Sequence, residues 1–117
     1  MTGVQTCALP ISKPQVSSSL LQALGSGNPY EVGKSLSNDL QAAACSLRPA
    51  LRLVLEVGKE YGVLGGIVSG SGPTVAFLVE DDEKSLDLSV ALSASGVVAG
   101  VARASGPVHG ARVVETL

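Results

Sequence analysis

The densest stretch of chemistry-bearing residues is the run Ser69-Gly70-Ser71-Gly72-Pro73-Thr74, set between two short apolar segments. Gly70 and Gly72 flank Ser71 and themselves carry no Cβ, so several backbone N–H groups of this loop can come close to a phosphate oxygen or brace another loop. Judged on its own, the same loop also reads as a tight connection between strands. It is not a Walker A loop, because no Gly-Lys-Ser/Thr follows. Nor is it a dinucleotide fingerprint: Val75 stands where the third glycine belongs, and a strand rather than a helix comes next.

The other candidates carry less chemistry. Asn38 and Asp39 open the run Asn38-Asp39-Leu40-Gln41, which reads as a helix N-cap followed three residues later by Gln, with Asp39 favourable in the first turn. Asp81, Asp82 and Glu83 read as a solvated helix start. They lie at the far end of a strand from the glycine loop, a poor position for Mg²⁺ there. Cys45 sits in an Ala-rich segment with no His nearby in sequence and reads as a small buried residue. His109, between Val108 and Gly110, is a lone loop histidine that supplies neither a metal site nor a catalytic triad.

The elements that must position these residues follow from periodicity and end signals. Ser17 to Gly25, with Leu20, Leu21 and Leu24, predicts a short amphipathic helix after a capping serine. Tyr30 to Leu36 predicts a second, led by Pro29 at its first position. A thin Ala-rich helix runs from Asp39 to about Ser46. From Pro49 a strongly patterned helix places Leu51, Val54, Leu55 and Tyr61 on one face, and Gly62 ends it. Leu64 to Val68 and Thr74 to Glu80 are β-branched apolar runs and predict strand, glycine turn, strand. Asp81 to Ser95 alternates as a half-buried strand would, at Leu86, Leu88, Val90 and Leu92, but its length, acidic start and Ser95-Gly96 stop favour a helix. Val97 to Ala104 and Ala111 to Glu115 predict two more strands. The expected fold class is therefore α+β: helices first, then β-β-α-β-β, with an antiparallel sheet packed against helices.

Composition bounds the function classes. The 117 residues are 45% hydrophobic and 15% charged, enough for one core and too few for a second. A net charge of −2 offers no footprint for nucleic acid or an anionic membrane surface. No apolar run approaches the roughly 20 residues that span a bilayer, and two cysteines are too few for a disulfide scaffold. A soluble, cytoplasmic domain is expected. Five of the 14 glycines fall between Gly62 and Gly72, which concentrates them in the candidate loop and its approach.

The opening residues do not read as part of that domain. Met1 to Ile11, MTGVQTCALPI, lack the basic start and long apolar stretch of a signal peptide. They resemble, residue for residue, the in-frame translation of a common short-read sequencing adapter. Residues 1–11 are accordingly read as non-native, Cys7 included, and residues 12–117 as the domain.

Taken together, SNDLQAAACSLRP (Ser37 to Pro49), the helix after it and GGIVSGSGPTVAFLVED (Gly65 to Asp81) resemble the C-terminal domain of the GHMP kinases. GVVAGVARASGPVHGARVV (Gly96 to Val114) is similar to that family's closing strands. The SGSGPT loop by itself points only to the family. The combination of NDLQ, LRP and GPVHGARVV points, in its actinobacterial form, to the branch that phosphorylates the 2-hydroxyl of 4-diphosphocytidyl-2-C-methyl-D-erythritol in the non-mevalonate route to isoprenoids. The resemblance implies ATP and Mg²⁺ as cofactors of the full-length enzyme. It implies a catalytic Lys, a catalytic Asp and an ATP-binding glycine loop in an N-terminal domain that this chain lacks. A chain without them is expected to be inactive alone. Gly70, Ser71, Gly72, Pro73 and Thr74 match the family's third motif, which implies a supporting, phosphate-proximal role; Asn38 and Asp39 match an Asn-Asp pair near the domain interface or substrate. Two alternatives stand beside this reading: another GHMP kinase of the homoserine or mevalonate type, or a stand-alone, non-catalytic ligand-binding module.

Overall fold

The computed structural model describes residues 16–115. The reading of Met1–Ile11 as non-native, with Cys7, lies outside the described residues. Five helices and one hairpin follow in the order α1 Ser18–Ser26, α2 Pro29–Ser35, α3 Gln41–Leu47, α4 Ala50–Glu60, β1 Gly65–Val68, β2 Val75–Leu78, α5 Asp82–Ser95.

Local chemistry explains most element ends. Ser17 caps α1 by accepting the Leu20 N–H at 3.2 Å, and Gly27 closes it at φ +69°. Asn28 accepts the Tyr30 N–H at 2.9 Å, with Pro29 pre-set in the first turn of α2. Asp81 accepts the Lys84 N–H at 2.8 Å to start α5, and left-handed Gly96 ends it. The alternating pattern of α5 is thus a helix after all: Leu88 and Leu92, four apart, are buried while Leu86 and Val90 stay in solvent.

The strands pair antiparallel, with Gly65 opposite Leu78 and Val68 opposite Val75. Below them, Ala44 and Cys45 of α3, Leu51 of α4 and Val68 form one buried cluster. Val54, Leu88 and Leu92 form a second, roofed by Phe77, Val79 and Val98, and Val75 touches both. The small side chains of α3 let it approach β1 closely. Two glycines do the same for α2, since a Cβ on Gly65 would collide with the Gly33 backbone and one on Gly33 with Leu64. Phe77, the only phenylalanine in the chain, occupies the space left open by Gly58 and Gly66.

Two expectations need correction. The third helix does not begin at Asp39 under an Asn38 cap: α3 begins at Gln41, its N-cap position is Leu40, and no side chain caps it. Asn38 spends one acceptor on the Leu40 N–H at 3.0 Å, a local turn, while its amide nitrogen and the Gln41 side chain cross to β1. The two strands expected at 97–104 and 111–115 are absent from the described residues, so the order ends β-β-α. Residues 97–104 run beside β2 and α5, lining a groove of about 740 Å³ with Val75, Phe77 and Leu88. Among the described residues, no backbone–backbone hydrogen bond ties this segment to the hairpin. A β-branched sequence makes a strand only where a ladder partner meets it.

Candidate functional site

The loop between β1 and β2 is shaped by its own backbone and by two side chains from the α3 approach. Ser69 N–H donates to Thr74 O at 2.8 Å, closing the hairpin, and Gly72 N–H donates to Ser69 O at 2.9 Å inside the turn. Gly70 and Gly72 hold φ of +57° and +80°, values that residues with a Cβ rarely adopt. Among the described residues, the N–H groups of Gly70 and Ser71 meet no acceptor, and Ser71 is exposed. The loop therefore offers free backbone donors at a solvent-facing turn. No titratable side chain hydrogen-bonds to it among the described residues, and exposed backbone N–H groups at such a turn are suited to an anion.

Behind the loop, β1 has an outer edge. Ser69 faces β2, so its neighbour Val68 turns its N–H and C=O the other way, as alternation in an antiparallel ladder requires. Val68 is also the most buried of the described residues, at 1% exposure, and its backbone groups cannot be left to water. Gln41 Oε1 accepts the Val68 N–H at 3.0 Å, and Asn38 Nδ2 donates to Val68 O at 2.7 Å. These two side chains stand in for a missing neighbouring strand. Asn38 Nδ2 donates also to Gly70 O at 2.7 Å, joining the strand edge to the loop.

The sequence-derived candidates thus divide. Asn38 and the Gly70–Thr74 loop come together. Asp39 does not join them: it is exposed and makes no side-chain hydrogen bond among the described residues. Gln41 was missed as a site residue, because its spacing from Asn38 is also that of a capping box. The only sequence signal for its true role is the same polar pair preceding an Ala-rich helix. Cys45 is buried and pairs with no cysteine among the described residues, and His109 is exposed, as their surroundings in sequence suggested. Asp81 to Glu83 lie past the far end of β2, and no cluster of three metal-binding side chains occurs among the described residues.

At that far end a polar contact ties α2 to the β2–α5 junction. Tyr30 Oη donates to Glu80 Oε1 at 2.8 Å, and Lys84 Nζ lies 3.1 Å from Glu80 Oε2. The Tyr30 hydrogen bond, with Lys84 beside it, holds the Glu80 carboxyl below its ordinary range. The same contact with Glu80 raises both Tyr30 and Lys84. All three groups are exposed, and the contact is an anchor remote from the glycine loop.

Comparison with known proteins shows the family of the chain. Residues 20–98 match the family described as GHMP kinases C terminal, which is most of the described chain. The chain belongs to that family. Among curated relatives, it is 55% identical over 101 residues to the 4-diphosphocytidyl-2-C-methyl-D-erythritol kinase of Clavibacter michiganensis, covering 86% of this chain and 32% of that protein. The Mycolicibacterium smegmatis protein of the same name is 56% identical over 95 residues, 81% of this chain and 30% of its own. The Thermobifida fusca protein is 48% identical over 102 residues, 87% of this chain and 33% of its own. The chain spans about a third of the length of the curated relatives it matches.

Proposed function

We propose that this chain is the C-terminal domain of an ATP-dependent small-molecule kinase that phosphorylates the 2-hydroxyl of 4-diphosphocytidyl-2-C-methyl-D-erythritol, a step toward isoprenoid precursors. Support comes from the names of its relatives, at about half identity. The observation that carries the reading is the loop Gly70–Thr74, whose exposed Gly70 and Ser71 have N–H groups that meet no acceptor among the described residues while Asn38 holds the loop from behind. A transferring phosphoryl group spreads charge over its oxygens, and fixed backbone donors stabilise that charge.

In this reading residues 12–117 form the domain, residues 1–11 are foreign to it, and Asn38 and Asp39 lie toward the partner domain and substrate. That partner is an N-terminal domain in cis, which supplies the ATP loop, the catalytic Lys and the catalytic Asp. The phosphates of ATP fit the backbone N–H groups that this loop exposes. Mg²⁺, which prefers oxygen ligands and phosphates, would be held by the nucleotide and by groups outside this domain. No helix among the described residues is long and apolar enough to cross a membrane, in keeping with a cytoplasmic enzyme.

The test is a fusion in which residues 17–117 replace the matching C-terminal part of the Clavibacter michiganensis kinase. The fusion is expected to turn over ATP with the diphosphocytidyl alcohol and not with homoserine or mevalonate, and the chain alone to turn over none. A fusion that unfolds cooperatively yet phosphorylates homoserine or mevalonate, or nothing, overturns the proposal.

A further inference from the structure

A trans peptide is planar, so the C=O of one residue and the N–H of the next point in opposite directions. Fixing a carbonyl therefore aims the following amide. The Asn38 side-chain nitrogen carries two donor hydrogens and has two carbonyl acceptors, Val68 O and Gly70 O, each at 2.7 Å. Holding Val68 O aims Ser69 N–H toward β2, where it meets Thr74 O at 2.8 Å. Holding Gly70 O aims Ser71 N–H away from Asn38, toward the solvent side of the loop, where no acceptor meets it among the described residues. The φ of +57° at Gly70 is what lets the chain turn between these two planes. Gln41 completes the arrangement by taking the Val68 N–H, so that β1 cannot shift along its edge.

We propose that Asn38 is a positioning residue that sets the direction of the Ser71 amide, with Gln41 as its counterpart on Val68, so that the loop presents a preformed donor to an anionic phosphoryl oxygen. This rests on the kinase reading above. Preformed donors gain by not having to reorganise when charge develops, which places their effect on kcat more than on KM.

The two side chains use opposite chemistry, and that makes the proposal testable. Asn38 works as a donor, so Asn38→Asp puts a carboxylate against two carbonyls. Gln41 works as an acceptor, so Gln41→Glu keeps its contact. A residue serving only as a turn cap would behave in reverse, since Asp caps about as well as Asn. In the full chain, N38D is expected to speed hydrogen exchange at the Ser69 amide by about tenfold or more, and Q41E by less than about threefold. In the fusion kinase, N38D is expected to lower kcat by about tenfold or more with KM for the diphosphocytidyl alcohol nearly unchanged, and Q41E to lower kcat by a smaller factor, about threefold or less. Unchanged Ser69 exchange in N38D, or an equal loss in both variants, overturns the proposal; so does faster exchange with unaltered kcat. If the unsubstituted fusion is itself inactive, the kinase reading fails, and the exchange contrast alone decides the role of Asn38.

Discussion

Two stretches of this chain are close in composition and opposite in structure. GGIVSGSGPTV, Gly65 to Val75, and GVVAGVARASGPV, Gly96 to Val108, share glycine, valine and a Ser-Gly-Pro turn signal. The first is a pinned hairpin, whereas the second, from Val97 on, forms no ladder among the described residues. The difference lies in what each meets. β1 has β2 on one edge, Asn38 and Gln41 on the other, and α3 and α4 beneath. The later stretch has Val98 packed on the second cluster and Arg103 hydrogen-bonded to Ser85 Oγ at 2.9 Å, and Val101 and Val108 face solvent. Strand propensity reports a fit to a half-buried pleated surface; it does not supply the surface.

The largest expected effect separates the two stretches at their glycines. Gly65→Ala drives a Cβ into the Gly33 backbone, where nothing can give by rotating, and should cost roughly 3 kcal/mol or more. Gly100→Ala meets nothing within 4 Å and should stay within about 0.5 kcal/mol. Urea unfolding of both variants measures the contrast; equal costs would break it. Next comes Val68→Ala, which removes two methyl groups from the most buried position and should cost about 2 kcal/mol, against less than about 0.5 for Val101→Ala, 39% exposed.

How much of this was legible in the sequence follows the same division. Helix starts at Ser17, Pro29 and Asp81, stops at Gly62 and Gly96, the hairpin and the burial of Cys45 could be read because each depends on residues a few positions apart. Asn38 and Gln41 could not be assigned that way. Their partners lie some thirty residues on, at an edge that exists only once β1 has formed, and a capping box offers both side chains a local alternative. Residues 97–104 misled for the converse reason: their propensity is real and their ladder partner is absent. Gly33 was not singled out, although a glycine inside a short helix often marks close backbone approach.

The smallest expected effect concerns the polar anchor at the far end of the hairpin. Glu80, held below its ordinary range, contributes stability that is present above the usual carboxylate titration and lost as pH falls through its folded-state value. Tyr30 and Lys84, both raised, contribute below their unfolded values and lose that contribution as pH rises through the folded ones. Stability from this contact should therefore be flat near neutrality and decline at both extremes. Tyr30→Phe should reduce the decline on both sides slightly, the groups being exposed. Unfolding midpoints for wild type and Y30F at acidic, neutral and alkaline pH check it, and parallel curves would show that the anchor contributes nothing.

In the proposed enzyme, a loop aimed from behind by Asn38 would meet the phosphates of a nucleotide or substrate. A crystal structure of the fusion kinase with a non-hydrolysable ATP analogue and the diphosphocytidyl alcohol tests it most directly. The account predicts the Ser71 backbone nitrogen within about 3.2 Å of a phosphate oxygen, with Asn38 still donating to Gly70 O. Phosphates bound away from the loop, or an Asn38 side chain turned to solvent in the complex, would contradict it.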